Sequence, residues 1–291
     1  MLKIWIILFI SSLQFASASP LENLPELSAL SVDQRVSYWS NHFLGTPYAK
    51  NGPLGEGSQG LFDQDPLYRF DQFDCTTFVE TITALSLSTN KDEFLVHLNA
   101  LRYKNSEVSY QTRNHITSLQ WIPENIQNGY FKESSQDFPS SMLRTVENSI
   151  DMPSWFRAHD LSRLKLPSLS KRKKKKRLKD LQKDIAKEFQ VSAVRLNYLS
   201  IKEVLNDWDG FEDSLDGIYI INIVRPNWNL VSKIGTKINI SHQGFLLKKE
   251  GVPTMIHAST TGEVVQVRLK TYLNWFKNSG TIKGINLLNF L

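Results

Sequence analysis

Apolar residues recur at helical spacing in the first half of this 291-residue chain and crowd into short β-branched runs in its last third. That single change of pattern constrains the fold most. Ser31-Val32-Asp33-Gln34 has the form of a capped helix start, with Val36, Trp39 and Phe43 on one face and Gly45 ending it. A polar, Gly-rich loop runs from Asn51 to Gln59. The next helix opens near Cys75 and carries Phe78, Val79, Ile82 and Leu85 at steps of three and four; Lys91 to Arg102 is another. Gly217–Val224, Ser241–Lys248, Val252–Ala258 and Glu263–Arg268 read as strands, and Glu250-Gly251 and Thr261-Gly262 supply turns, the pattern of an antiparallel meander. Helices first and strands later predict an α+β fold rather than alternating α/β. Neither an internal repeat nor a Gly/Ser linker divides the chain. The expectation is one domain over 19–291 with a Lys/Arg-rich insertion around 134–195.

Residues 1–18 read as a secretory signal. Lys3 precedes the apolar run Ile4–Ile10, and Ala16-Ser17-Ala18 supplies a small-x-small cleavage site. The run is shorter than the ~20 residues needed to span a bilayer. The expected location is therefore outside the cytoplasm, periplasmic or secreted. An exported chain whose only cysteine is Cys75 cannot form an internal disulfide. The net charge of +5 is a local feature: Lys171 to Arg177 holds seven of the 34 basic residues, and without them 27 basic residues face 29 acidic ones. Export argues against nucleic acid as the partner of this run. The functional alternative to a solvated face is peripheral contact with an anionic polymer or membrane surface.

Asp74-Cys75-Thr76-Thr77-Phe78-Val79-Glu80 places the thiol at a helix start, where unpaired N–H groups and the dipole favour thiolate. Asp74 stands where a cap belongs. His242 opens one predicted strand and His257 closes the next, so a hairpin brings both imidazoles to one spot. That suits a nucleophile, a base and a group orienting the base, with the Cys75 backbone N–H available to an oxyanion. Zinc is the rival use of one Cys and two His, but no CxxC or HxxxH spacing supports it. Histidines satisfied within the core are the other.

Asp-Cys-Thr-Thr-Phe-Val-Glu following Gly45-Thr46-Pro47-Tyr48, then Ser-His-Gln-Gly-Phe and Ile-His-Ala-Ser in that order, resemble the three catalytic segments of NlpC-type, papain-like cell-wall cysteine peptidases. With Arg113-Asn114-His115 and Trp121, the wording resembles one branch, the N-acetylmuramoyl-L-alanine amidase-like family, over roughly 40–270. The resemblance implies a papain-like fold whose nucleophile helix packs on an antiparallel sheet. It implies Cys75 as nucleophile, His242 as base and His257 as orienting residue. It makes Tyr48, Asp74 and Thr76 candidate substrate contacts, and Tyr48 and Trp121 candidate sugar platforms. Arg113 and His115 have no role derivable from the residues: a guanidinium suits a stem-peptide carboxylate or the lactyl–sugar region, and equally an internal ion pair. Gly217-Ile218 stands where relatives read Gly-Asp, Gln243 replaces a small aliphatic residue, Asn227–Ile240 lengthens the approach to His242, and the Lys/Arg run is foreign to the family.

The implied activity is hydrolysis of the N-acetylmuramoyl-L-alanine amide of peptidoglycan or muropeptides by a monomer, with no metal or cofactor. Cleavage between γ-D-glutamate and the diamino acid is the alternative within the clan. A non-catalytic wall-binding protein and acyl transfer to an amine are the others.

Overall fold

The computed structural model describes residues 19–50, 52 and 54–291, so the proposed signal segment lies outside the described residues. The helical first part follows from its caps. Ser31 and Gln34 close a reciprocal capping box on the helix Val32–His42, and Asp74 and Thr77 close another on the helix Cys75–Leu87. Asn90 caps the helix Lys91–Arg102.

The strands form one antiparallel sheet: β1 (Phe131–Glu133), β2 (Leu143–Asp151), β3 (Val191–Ser200), β4 (Tyr219–Asn229), β5 (Lys237–Lys249), β6 (Val252–Ala258), β7 (Val264–Arg268) and β8 (Gly284–Phe290). Their order is β2-β3-β8-β4-β5-β6-β7, and β1 pairs with the free stretch of β8 beside β3. The expected meander is β4 to β7. The chain's last strand, β8, inserts between β3 and β4.

Both faces of the central strands are covered. Ile220, Phe245 and Ile256 join the Val32, Cys75 and Lys91 helices in one core cluster. Ile221, Leu246 and Met255 point the other way, into a second cluster with Val204, Phe211 and Leu273 from the short helices Ile201–Asn206, Trp208–Asp213 and Leu269–Trp275. Burial on both faces explains why β4 opens as a run of large apolar residues interrupted only by the buried Asn222. The fold is thus α+β on an antiparallel sheet.

Residues 134–195 carry β2, the start of β3, a helix Met152–Arg157 and a helix Lys171–Lys183. Trp155, Phe156, Leu181 and Ile185 meet Phe62 and Tyr110 of the first part in a third apolar cluster. The Asn227–Ile240 extension is the far end of the β4–β5 ladder, where Trp228 faces Ile238.

Candidate functional site

The Asp74 carboxylate accepts the Thr77 N–H at 2.8 Å, and the Thr77 hydroxyl accepts the Asp74 N–H at 3.0 Å. This fixes where the helix begins and so holds Cys75 in its first turn. Phe78 packs edge-on against Phe245 of β5 with centroids 5.8 Å apart, seating that turn on the sheet. Cys75 and His242 then line one cleft of about 170 Å³.

His242 on β5 and His257 on β6 meet behind the cleft, with Nε2 of the first 2.7 Å from Nδ1 of the second. The rings stand nearly perpendicular, and Tyr272 packs on the other side of His257. Two residues beyond His242, Gly244 permits this arrangement. A Cβ there would lie 2.7 Å from the Ile256 carbonyl oxygen and 2.8 Å from the His257 Cβ. Gly244→Ala should therefore push β6 and His257 away, with an overpacking cost of about 1–3 kcal/mol. Thermal denaturation checks this; an unchanged melting temperature would show that β6 can yield.

Burial, and then the neighbouring His257, lower His242 to about 3; burial lowers His257 to about 4 against a bond to the Ala258 backbone. Burial and the Asp74 charge push the Cys75 thiol up to about 12, opposed by the Gln243 N–H and by Thr76. The helix start was expected to favour thiolate; desolvation outweighs it, and burial favours the neutral form of thiol and imidazole alike.

Those histidines make stability pH-dependent. His159, held at about 4 by burial, is shifted like His257, and His115 and His242 move the same way. Between the ordinary value near 6.5 and about 4, the unfolded chain binds protons that the folded chain refuses, so stability falls as pH drops through that window. Each group contributes up to about 1.4 kcal/mol per pH unit. Asp63, raised to about 6 by burial, and Asp33, raised by the same cause, oppose them over part of the window, but as two groups against four. Melting temperature should fall steadily from about pH 7 to about pH 4.5; a flat profile would contradict the neutral buried state.

A second, larger cavity of about 610 Å³ adjoins the first, sharing Thr76 and His115 as lining. Asp74 lies on its wall. Tyr48 is half-buried, paired through its backbone with Phe73 and Gly262, and its phenol is raised to about 12 by burial and by Cys75 and Asp74. Arg113 lines the larger cavity, but its guanidinium donates to the Leu54 carbonyl at 2.6 Å and sits 3.6 Å from Asp63, which ties it to the Gly-rich loop. His115 Nε2 bonds the Tyr110 carbonyl at 2.7 Å and its ring packs on Trp155. Trp121 does not reach the cleft. It is fully buried on Phe131, and its indole N–H donates to Glu80, so the expected sugar platform is a core residue.

Other groups were absent from the sequence reading. Trp155 and Tyr110 supply the aromatic lining of the larger cavity, and Lys50, Arg163 and Lys165 supply cations to it. The Thr76 hydroxyl donates to the Gln243 side chain at 2.9 Å; Gln243 donates to Asn222, and Asn222 to Asn286. This buried amide ladder crosses β5, β4 and β8, and accounts for a polar residue at 243: an aliphatic side chain would leave buried amides unpaired.

A family model described as N-acetylmuramoyl-L-alanine amidase-like matches residues 38–282. The crystal structure of a Legionella pneumophila protein is similar at TM-score 0.89 and 32% identity, covering 95% of this chain and 94% of that one. A Bacteroides uniformis N-acetylmuramoyl-L-alanine amidase is similar in fold at TM-score 0.59 and 21% identity, over 89% of this chain and 99% of that one. A Bacteroides fragilis protein described as a putative xylanase matches at TM-score 0.59 and 22% identity, over 87% and 99%. No match is found among curated proteins.

Proposed function

This chain belongs to the N-acetylmuramoyl-L-alanine amidase-like family, and from that premise we propose that it hydrolyses the amide between the muramic acid lactyl group and L-alanine in peptidoglycan or its fragments. Cys75 is the nucleophile, His242 the base and His257 the residue that orients it. The observation that carries this reading is the 2.7 Å contact of His257 with His242, whose ring lines the same cleft as the only thiol. A helix-borne thiol sharing a cleft with a strand-borne imidazole also supports a papain-like, NlpC-type relationship. Residues 1–18 are read as a signal peptide and the protein as exported.

With its proton on Nε2 and donated to His257, His242 keeps a lone pair on Nδ1. Because thiol and imidazole rest neutral, the proton passes from Sγ to His242 as sulfur attacks the lactyl carbonyl carbon. The oxyanion is received by the Cys75 backbone N–H at the helix start. His242 returns the proton to the departing L-alanine nitrogen, leaving a thioester. Water, deprotonated by the same imidazole, then releases the lactyl carboxylate and restores the thiol.

The choice of bond follows from the larger cavity. Its acidic side chains are engaged: Asp74 caps a helix, Asp63 faces Arg113, and Glu80 is paired with Arg102. No carboxylate there is left for the free amine an endopeptidase substrate would present. Lys50, Arg163 and Lys165 have no acidic partner among the described residues, and they suit the carboxylates of a stem peptide. Mass spectrometry of muropeptides after incubation with the protein tests the reading. The expected product is an intact stem peptide with a free L-alanine amine. A cut within the stem would move the assignment to the endopeptidase, and no product would favour wall binding or acyl transfer.

A further inference from the structure

The helix Lys171–Lys183 carries nine Lys or Arg residues and one acid, Asp180. Its inward side is fixed. Leu181 is buried and Leu178 half-buried in the third apolar cluster, and Gln182 donates to the carbonyls of Arg157 and His159 at 3.0 and 2.7 Å. Its outward side is a row of cations, with Lys171, Arg172, Lys175, Lys176 and Lys179 lining one shallow surface groove. Among the described residues none of the helix's cations has a salt-bridge partner.

This arrangement works against the helix itself. Cations crowd the first turn, where the dipole favours anions, and like charges four residues apart repel. The apolar side holds the helix in place despite this, so the charges form a rigid ridge about 20 Å long at 1.5 Å per residue. An external anion relieves the repulsion.

We propose that this ridge docks the protein on an anionic lipid bilayer surface, electrostatically and without insertion. Seven of the nine cations are lysines, point charges suited to a diffuse negative surface rather than to the two-pronged recognition that arginine gives one phosphate. No aromatic side chain lies on the helix to stack a base, which disfavours single-stranded nucleic acid. No apolar residue lies on its exposed side to enter the acyl region. The proposal does not depend on the catalytic reading, because the ridge and the thiol cleft share no residue.

The test is co-sedimentation of the purified chain with phosphatidylcholine vesicles containing about 30 mol% phosphatidylglycerol, at about 0.1 M salt. The protein should bind these and not pure phosphatidylcholine. Replacing Lys171, Arg172, Lys175, Lys176 and Lys179 with glutamine, which keeps helix propensity, should weaken binding at least about 100-fold, since each cation near such a surface is worth on the order of 5-fold. Raising salt to about 1 M should release the unaltered protein, a readout that needs no variant. Equal binding to neutral vesicles, or retention by the five-fold variant, would overturn the proposal. Capture by soluble polyphosphate without vesicle binding would reassign the ridge to a soluble polyanion and overturn it too.

Discussion

Cys75→Ala is expected to lower muropeptide hydrolysis by on the order of 10⁴-fold or more, with substrate binding retained. The mechanism has no second nucleophile to fall back on, since Cys75 is the only thiol. His242→Ala should cost about as much, because burial raises the thiol's pKa and the other imidazole lining its cleft, His115, is engaged through Nε2 with the Tyr110 carbonyl. The double variant should be no worse than either single one, since removing either partner already disables the unit. His257→Ala should cost less, leaving His242 in place but free to adopt the wrong tautomer. Rates from product chromatography, with the thiol assayed as reduced, check the series. Losses that multiply in the double variant would show that the two side chains act separately, and a fully active Cys75→Ala would end the cysteine mechanism.

What could be read from the chain was local in sequence. The helix caps at Ser31 and Asp74 were legible because each stands directly before the helix it caps. The meeting of His242 and His257 was legible because 15 residues make one hairpin. The rest depends on neighbours far apart in the chain. In β2 the apolar residues Leu143, Val146 and Ile150 stand three and four apart, a helical spacing, because much of that strand is exposed. The placement of β8 between β3 and β4, and hence the ladder from Gln243 through Asn222 to Asn286, needs the sheet order before it can be seen. Trp155 reaches the cavity from a segment 80 residues beyond Cys75. Trp121 misled for the opposite reason: an indole near motif residues suggests a platform, yet its polar N–H was spent on a buried carboxylate.

That carboxylate sets the largest expected loss of stability. Glu80 and Arg102 are 3% and 1% exposed, with Arg102 Nε 2.7 Å from Glu80 Oε2, so solvent screening gives no discount. Glu80 also accepts the Trp121 indole N–H at 3.2 Å, and Arg102 donates to the Leu67 carbonyl at 2.6 Å. The pair thus ties the Cys75 helix to the Lys91 helix and to the loop leading into Asp74. Arg102→Ala would leave a charged carboxylate buried without its counter-ion, at a cost of about 3–5 kcal/mol. For a chain of this size that is a fall of roughly 6–20 °C in melting temperature. Glu80→Gln combined with Arg102→Met should recover at least half of the loss, because it removes both charges and keeps an acceptor for Trp121. Calorimetry of the two variants decides the point. A drop below about 1 kcal/mol in Arg102→Ala would mean that water reaches Glu80 through the larger cavity it lines. A double variant as unstable as Arg102→Ala would place the loss in packing rather than in unpaired charge.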